Sequence, residues 1–416
     1  MIHSKIHPKM GYTYIGIDSH KDTHTACFLN CFYEKLGEIV FDNRPSKFGK
    51  FLADAELLKM NDTDLLFGLE DATLYGRSLM VFLNEQGHLV KHTNAFLVAE
   101  ERKSLSITQK TDSIDAECAA RVLLNRFDTL PDVVPRDKFG ILRTLVVRRA
   151  YIVRSNAALK SHLHGLVTDH YPNYRSYFQP IDGQTSLAFF MRYPSPTTLS
   201  GVTVEELTDF LLEASGGRVR QSKAQKILGS LEDTAVELQE IRNLAVQSAI
   251  RQIQFNLTEL EQLEKTLAQV LNGFNCTLTS MNGMDVVSAA QILSCIGDIS
   301  RFKTPAKLAQ YAGIAPVTYA SGKTELHFAN KRGNRELNSL FFMLAVRVTM
   351  TASHKNVVIN PFFYEYYHRK ISEGKTKRQA IKCVQRRLVN IIWTMLVRNE
   401  NYINPPMHDL PKKPKT

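Results

Sequence analysis

Four acidic residues of this 416-residue chain have types and spacing suited to one kind of chemistry: Asp18, Glu70, Asp112 and Asp115. Asp18 closes the apolar run Tyr14-Ile15-Gly16-Ile17-Asp18, and Glu70 closes a second, Leu65-Leu66-Phe67-Gly68-Leu69-Glu70. Asp112 and Asp115 stand three apart in Thr111-Asp112-Ser113-Ile114-Asp115-Ala116, at the head of a helical pattern, so they share a helix face. Carboxylates at strand ends and on one helix face can converge on a hard cation, and two magnesium ions held that way cut a phosphodiester. Each acid alone also fits a turn or a cap, and Asp112 in particular fits a helix N-cap. As a converging set they repel one another, and a metal resolves the repulsion. His20 and Lys21, just after Asp18, are placed to touch a substrate phosphate, or else are plain surface residues.

The elements that must position these acids read as alternating strands and helices. β-type runs fall at 12–18, 24–30, 37–42, 64–70 and 88–93. Helical spacing appears at 47–60, around 73–86, and from about Ser113 to Phe127 with Ile114, Cys118, Ala119 and Val122 on one side. The order implies an α/β domain over 11–130, with a mixed sheet flanked by helices. Asp18 and Glu70 share one sheet end only if the first and fourth strands are neighbours.

Pro131 and Pro135 punctuate the chain, and a helical arm is expected over 136–272. One helix runs from about 138 to 168. A second begins near Leu231 and continues to about Asn272 with the stripe Val246, Ile250, Ile253, Leu257, Leu260, Leu263, Leu267 and Leu271. At 1.5 Å per residue it reaches ~60 Å, a length suited to an antiparallel arm or a coiled-coil contact between copies. The segment 170–225 inserted between them reads as loop-rich, with one capped helix starting at Thr203-Val204-Glu205-Glu206. A mostly helical domain follows at 274–400, and Met281-Asn282-Gly283-Met284-Asp285 with its flanking helices resembles a helix-hairpin-helix turn that presents backbone N–H groups to phosphate. On a last helix from about Lys375 to Val397, Lys375, Arg378, Lys382 and Arg386 form one stripe, while Ile381, Val384, Leu388, Ile391 and Met395 form another. The Pro/Lys-rich tail at 401–416 reads as disordered.

Charge points to a polyanion. The chain carries a net +11, but from Arg301 onward 21 Lys and Arg face 6 Asp and Glu, a net of +15, whereas the rest holds 31 against 35. A basic C-terminal third on a near-neutral body suits a nucleic-acid partner. The six cysteines are scattered without a zinc pattern and read as free thiols of a reducing cytosol. No apolar stretch reaches the ~18 residues of a membrane span and no signal-peptide core is present, so no membrane partner and a cytoplasmic location, bacterial or archaeal, are expected.

The order of elements and of the four acids resembles the RuvC-like branch of the ribonuclease-H fold. More closely, Gly16-Ile17-Asp18-Ser19-His20-Lys21, Leu69-Glu70-Asp71-Ala72-Thr73 and Lys110-Thr111-Asp112-Ser113-Ile114-Asp115-Ala116 resemble the signature of insertion sequence 110 family transposases. Gly297-Asp298-Ile299-Ser300-Arg301-Phe302, Tyr311-Ala312-Gly313-Ile314-Ala315-Pro316, Tyr319-Ala320-Ser321-Gly322 and Lys331-Arg332-Gly333-Asn334 follow that family's second domain in order. The resemblance implies a site-specific recombinase that excises and inserts a mobile DNA element. It implies Mg2+, with Mn2+ as a substitute, on Asp18, Glu70, Asp112 and Asp115. Ser321 would be the nucleophile that becomes covalently linked to DNA. Lys323, Arg332 and Arg335 lie near it in sequence, suited to stabilising phosphate charge, and Lys331 joins them as a nucleic-acid contact with Lys21 and the stripe on the last helix. The partners implied are the element ends and target DNA, a structured guide RNA, and further copies of the chain, as a dimer or as a tetramer in synapsis. Two other readings stay open: a junction-resolving nuclease in which the acids activate water and Ser321 is structural, and a non-catalytic nucleic-acid-binding protein.

Overall fold

The computed structural model describes residues 7–70, 75–133, 138–232, 239–321, 324–331, 333–352 and 357–404. The chain divides into two compact units, 1–137 and 138–416.

The first unit is built on a five-stranded sheet. Its strands are β1 (Tyr12–Ser19), β2 (Thr23–Leu29), β3 (Lys35–Asp42), β4 (Asp64–Leu69) and β5 (Leu89–His92), joined by helices α1 (Pro45–Leu58) and α2 (Arg77–Glu85) and followed by α3 (Ala95–Ser104) and α4 (Asp112–Arg126). The sheet order is β3-β2-β1-β4-β5. β1 pairs antiparallel with β2 and parallel with β4, with Ile17 opposite Leu69, so the first and fourth strands are neighbours and the chain leaves both at the same end. β1 is buried along nearly its whole length, as a central strand covered on both faces must be. Ile15, Ile17, Phe67 and Leu69 form one core with Phe48 and Phe51 of α1 and Leu79 and Leu83 of α2. On the other face, Tyr14 and Leu66 pack with Ala116, Ala120 and Leu123 of α4.

Two glycines set how close α4 lies. Gly16 and Gly68 are paired partners on adjacent strands. A Cβ built on Gly16 would fall 2.1 Å from the Ala120 amide nitrogen and 2.2 Å from the Ala116 carbonyl oxygen, and one on Gly68 would fall 3.2–3.3 Å from the Leu123 side chain of α4. The helix backbone therefore rests on the strand backbone, through the small face Ala116, Ala119 and Ala120. The helix α3 was not anticipated from the sequence. Asn94 caps it, but Val98 is its one fully buried residue, so it has almost no apolar periodicity to read. The helix expected around 73–86 has its described part at Arg77–Glu85, after Gly76, with 71–74 outside the described residues.

The second unit is helical apart from two short hairpins. Helices α5 (Lys138–His170) and α9 (Gln239–Asn272) pair along their length. Arg149 bonds to Glu264 and Asn156 to Asn256, so the two run antiparallel. The described part of α9, Gln239–Asn272, is ~51 Å long. Leu231 is drawn into the neighbouring small core and Glu232 bonds to Asn173, while 233–238 lie outside the described residues. The segment between the paired helices is not loop-rich: α6 (Gln184–Arg192), α7 (Val204–Ser215) and α8 (Gln221–Leu228) fold over a core of their own with Tyr171, Tyr177, Phe189 and Phe190. Aromatic clustering without regular spacing hid these short helices. α7 does begin with the Thr203–Glu206 capping box.

At the other end of the pair, α10 (Val286–Ile296), α11 (Pro305–Tyr311), the hairpin β6 (Val317–Ser321) and β7 (Thr324–Phe328), α12 (Arg335–Val348), the short strands β8 (Thr351–Ala352) and β9 (Val357–Val358), α13 (Pro361–Ser372) and α14 (Lys377–Arg398) follow. Ile292, Phe341, Phe363 and Leu388 sit in their shared core together with Leu142 of α5 and Leu271 of α9. Where a helix-hairpin-helix turn is expected, a short 3-10 turn lies at Leu278–Ser280, and Asp285 caps α10 by accepting from the Ser288 amide while also pairing with Arg347. That amide is committed to Asp285. The last helix begins at Lys377 under a Thr376–Gln379 capping box, which leaves Lys375 just outside it. Among the described residues, no helix is long and apolar enough to cross a membrane. The tail from 405 lies outside them.

Overpacking a tight contact costs roughly 1–3 kcal/mol and more where backbone must move. Gly16→Ala should therefore lower the midpoint of denaturant unfolding, followed by circular dichroism on the full chain. Gly49→Ala, at an open helical position with nothing within 4 Å of the new methyl, should raise stability slightly, by about 0.5–1 kcal/mol. Equal effects from the two substitutions would show that the Gly16 contact is not tight.

Candidate active site

The alternation of a strand places Asp18 two residues beyond Gly16 and Glu70 two beyond Gly68, so both acids emerge on the α4 face at the end of the sheet. The Glu70 amide donates to the Ile17 carbonyl (3.3 Å), which extends the parallel pairing to the two acids, and the His92 ring holds the Glu70 carbonyl at 3.0 Å. Opposite them, α4 opens with Thr111 as its cap, the Thr111 hydroxyl accepting from the Ile114 amide at 3.3 Å. Asp112 is thus the first helical residue and not the cap. Its carboxylate, 59% exposed, is left free for the site. Asp115, one turn on, is buried.

Geometry and charge agree that these groups form one cluster. His20 Nε2 lies 3.1 Å from Asp18 Oδ2 and 3.2 Å from Asp112 Oδ1, bridging strand end to helix start. Burial pushes the Asp18 carboxyl above its usual range; His20 pulls it back, and the like charges of Asp112 and Asp115 push it further up. Glu70 is raised as well, first by burial and then by Asp18 and Asp115, with Lys110 and Arg102 opposing. For His20, burial favours the neutral ring, but the Asp18 and Asp112 carboxylates outweigh it and raise its pKa. Asp115 is paired with Arg102 of α3, and its other oxygen is 3.9 Å from Lys110 Nζ.

The donor set suits a divalent ion. One ligand atom each from Asp18, His20 and Asp112 lies within 4.8 Å of the others, a spread that metal–oxygen distances of about 2.0–2.6 Å can span. Oxygen donors dominate, as Mg2+ and Mn2+ prefer. Asp115 would bring Arg102 and Lys110 with it to the edge of such a site.

The structure brings the four acids together in the first unit. Ser321 ends β6 in the second unit, where its backbone pairs with Thr324. Lys323 and Arg332 lie outside the described residues. Lys331 and Arg335 are exposed, the latter at the start of α12. α12 and α14 cross where Gln385 bonds to the Asn338 carbonyl. On α14, Arg378 and Lys382 are exposed, Lys375 precedes the cap, and Arg386 is half-buried and bonds to Asn390. Lys21 is exposed beside the acids. Sequence reasoning missed Arg102 and His92. Both act through tertiary contacts, and no spacing rule links Arg102 to an acid thirteen positions later.

Two family models match the chain. One, described as "Transposase" and belonging to the IS110 DEDD type, covers residues 15–172; the other, "Transposase IS116/IS110/IS902 family", covers 275–367. The chain is 28% identical over 297 residues to the insertion element IS110 uncharacterized 43.6 kDa protein of Streptomyces coelicolor, a match spanning 69% of this chain and 70% of that one. It is 25% identical over 410 residues to the insertion element IS116 uncharacterized 44.8 kDa protein of Streptomyces clavuligerus, covering 94% and 96%. It is also 23% identical over 410 residues to the pilin gene-inverting protein of Moraxella lacunata, covering 94% and 98%.

Beneath the cluster, His24 pairs across the strands with Ser19 and is fully buried against Phe41 and Phe48. Burial pushes its pKa down to about 4; the Asn43 amide opposes this from a position outside hydrogen-bond geometry. A histidine depressed in the fold binds more protons when unfolded, so stability is complete above about pH 6.5 and is lost as pH falls toward about 4. The loss should reach at most about 3 kcal/mol. Denaturant unfolding across this range should show the slope, and His24→Leu should flatten it. An unchanged slope in that variant would assign the pH dependence to other groups.

Proposed function

We propose, because this chain belongs to the IS110 family of transposases, that it excises and inserts a mobile DNA element using the acid cluster as one half of its chemistry. The chain is a DNA transposase of that family, with relatives that include a pilin gene-inverting protein. What supports the finer reading is that His20 lies 3.1 Å from Asp18 and 3.2 Å from Asp112, with the Glu70 amide bonded to Ile17 beside Asp18 and Asp115 one helical turn beyond Asp112. The fold of the first unit is in keeping with a RuvC-like domain.

Asp18, Glu70, Asp112 and Asp115 would hold the divalent cations, Mg2+ or Mn2+, and His20 would stand as an adjacent donor. Such cations supply Lewis-acid polarisation of a phosphoryl oxygen when bound. Ser321 is the proposed nucleophile: its Oγ forms a bond to phosphorus, the bond from phosphorus to a deoxyribose oxygen breaks, and the freed hydroxyl later reverses the exchange on the joining strand. A phosphodiester energy is thereby kept for rejoining. What supports Ser321 is its place in Tyr319-Ala320-Ser321-Gly322, within the span matched by the second family model. Acids and serine lie in different units, in keeping with a composite site assembled by an oligomer whose paired long helices join the copies. Guidance by a structured RNA is supported by the resemblance alone. Lys21, Lys331, Arg335 and the basic residues of α14 would contact nucleic acid, as would Lys323 and Arg332.

Excision and insertion on a plasmid reporter, together with denaturing-gel capture of protein–DNA adducts, test this reading. Asp18→Asn and Glu70→Gln should each lower recombination roughly a hundredfold or more. Ser321→Ala should remove the covalent adduct along with recombination. Cleavage that persists in Ser321→Ala without adducts would make the protein a hydrolytic nuclease. Recombination unaffected by the Asp and Glu substitutions would remove the acids from the chemistry.

A further inference from the structure

From Lys138 to Thr168 the chain contains no acidic residue, yet it carries six cations: Lys138, Arg143, Arg148, Arg149, Arg154 and Lys160. All of them lie on α5. Four are engaged within the unit. Arg149 bonds to Glu264 at 2.7–2.8 Å, Lys160 pairs with Asp182, Arg143 lies 3.9 Å from Glu336, and Lys138 sits over the ring of Phe274. Arg148 and Arg154 differ. Both are exposed, and neither has a carboxylate partner among the described residues.

These two arginines flank Tyr151, which is 61% exposed. Positions 148, 151 and 154 follow one another at steps of three, so they form a short row on the helix surface. That row faces away from Leu142, Val146, Ile152 and Asn156, the residues buried along the helix. The Arg148 guanidinium lies 5.8 Å from the Tyr151 ring centre, and Arg154 is steadied by donating to the Ala150 carbonyl at 3.3 Å. Both side chains are thus held against the helix with N–H groups left over.

A surface kept only for solubility mixes both signs. Here the acids are absent over more than eight turns, and the unpaired cations are arginines, whose planar fork matches phosphate. A tyrosine hydroxyl between them adds a further donor of the kind that positions a duplex. DNA presents one phosphate charge per ~1.7 Å of axis, so a helix with an acid-free outer row complements it without reading sequence. We propose that the outer face of α5, through Arg148, Tyr151 and Arg154, holds the phosphate backbone of duplex DNA. The surface lies outside the basic C-terminal third and outside both proposed catalytic groups. It rests on the DNA-handling reading above, but on neither the acids nor Ser321.

The test is fluorescence anisotropy of the full-length protein on a short DNA duplex of arbitrary sequence, and on the RNA duplex of the same sequence, across a salt series, with oligomer size followed by light scattering. Arg148→Gln/Arg154→Gln should reduce the slope of log affinity against log salt by about 2, since each phosphate contact contributes about 0.9. Arg148→Lys/Arg154→Lys should restore most of it, and Tyr151→Phe should weaken binding a few-fold with the slope unchanged. A slope unaltered in the Gln pair, with the protein still folded, overturns the proposal. So does a Gln pair that lowers the oligomer size instead, which would make the row a contact for the acidic surface around Glu259 and Glu261 of a second copy. A loss confined to duplex RNA overturns the assignment to DNA. If the unaltered protein itself shows no salt-dependent DNA binding, the transposase reading fails, a result distinct from failure of this surface alone.

Discussion

The approach of α4 to β1 at Gly16 is the contact on which the first unit's chemistry depends. A side chain there would occupy the same space as the backbone of Ala116 and Ala120. With no Cβ in the way, the helix lies against the strand, and its first turn reaches the strand end where Asp18 emerges. His20 can then touch Asp18 and Asp112 together, at 3.1 and 3.2 Å. A helix held an ångström or two farther out would still fold over Tyr14 and Leu66, but the four acids would cease to be one electrostatic cluster.

That cluster is costly to assemble. Burial and mutual repulsion raise Asp18 and Glu70, so the fold gathers negative charge against its own preference. The surrounding residues offset this from within. Arg102 and Lys110 attend Asp115, and His20 stands between Asp18 and Asp112. These contacts allow the acids to be preorganised in the fold before any cation or DNA arrives. One set of positive side chains thus offsets the repulsion of the acids within the fold.

The second unit follows a different logic. Two cores, one around Phe189 and Phe190 and the other around Phe341 and Phe363, are strung on the antiparallel pair α5–α9. Between those cores the pair carries a half-buried Asn156–Asn256 bond and the Arg149–Glu264 bridge. Polar pairs of this type fix register, because any slip would bury an amide without its partner. Register in turn decides which residues of α5 face outward, and so presents Arg148, Tyr151 and Arg154 as a row.

Much of this was legible in the chain. The five strands, the helix after Thr111 and the four acids could be read because alternation and helical periodicity are local, and because Asp and Glu at the ends of apolar runs are conspicuous. The small core that takes in Leu231 could not be read, since its residues come from elements far apart in the chain. Nor could α3, whose single buried residue leaves no periodic trace, and with it Arg102 went unseen. The sequence by itself determined which residues carry charge, where the acids stand relative to strand ends, and the family to which the chain belongs. Only the tertiary structure decided that β1 and β4 are neighbours, that α4 lies close enough for His20 to bridge two of the acids, and that Arg102 completes the cluster. Strand order and close packing join residues far apart in the chain, and no local spacing encodes them.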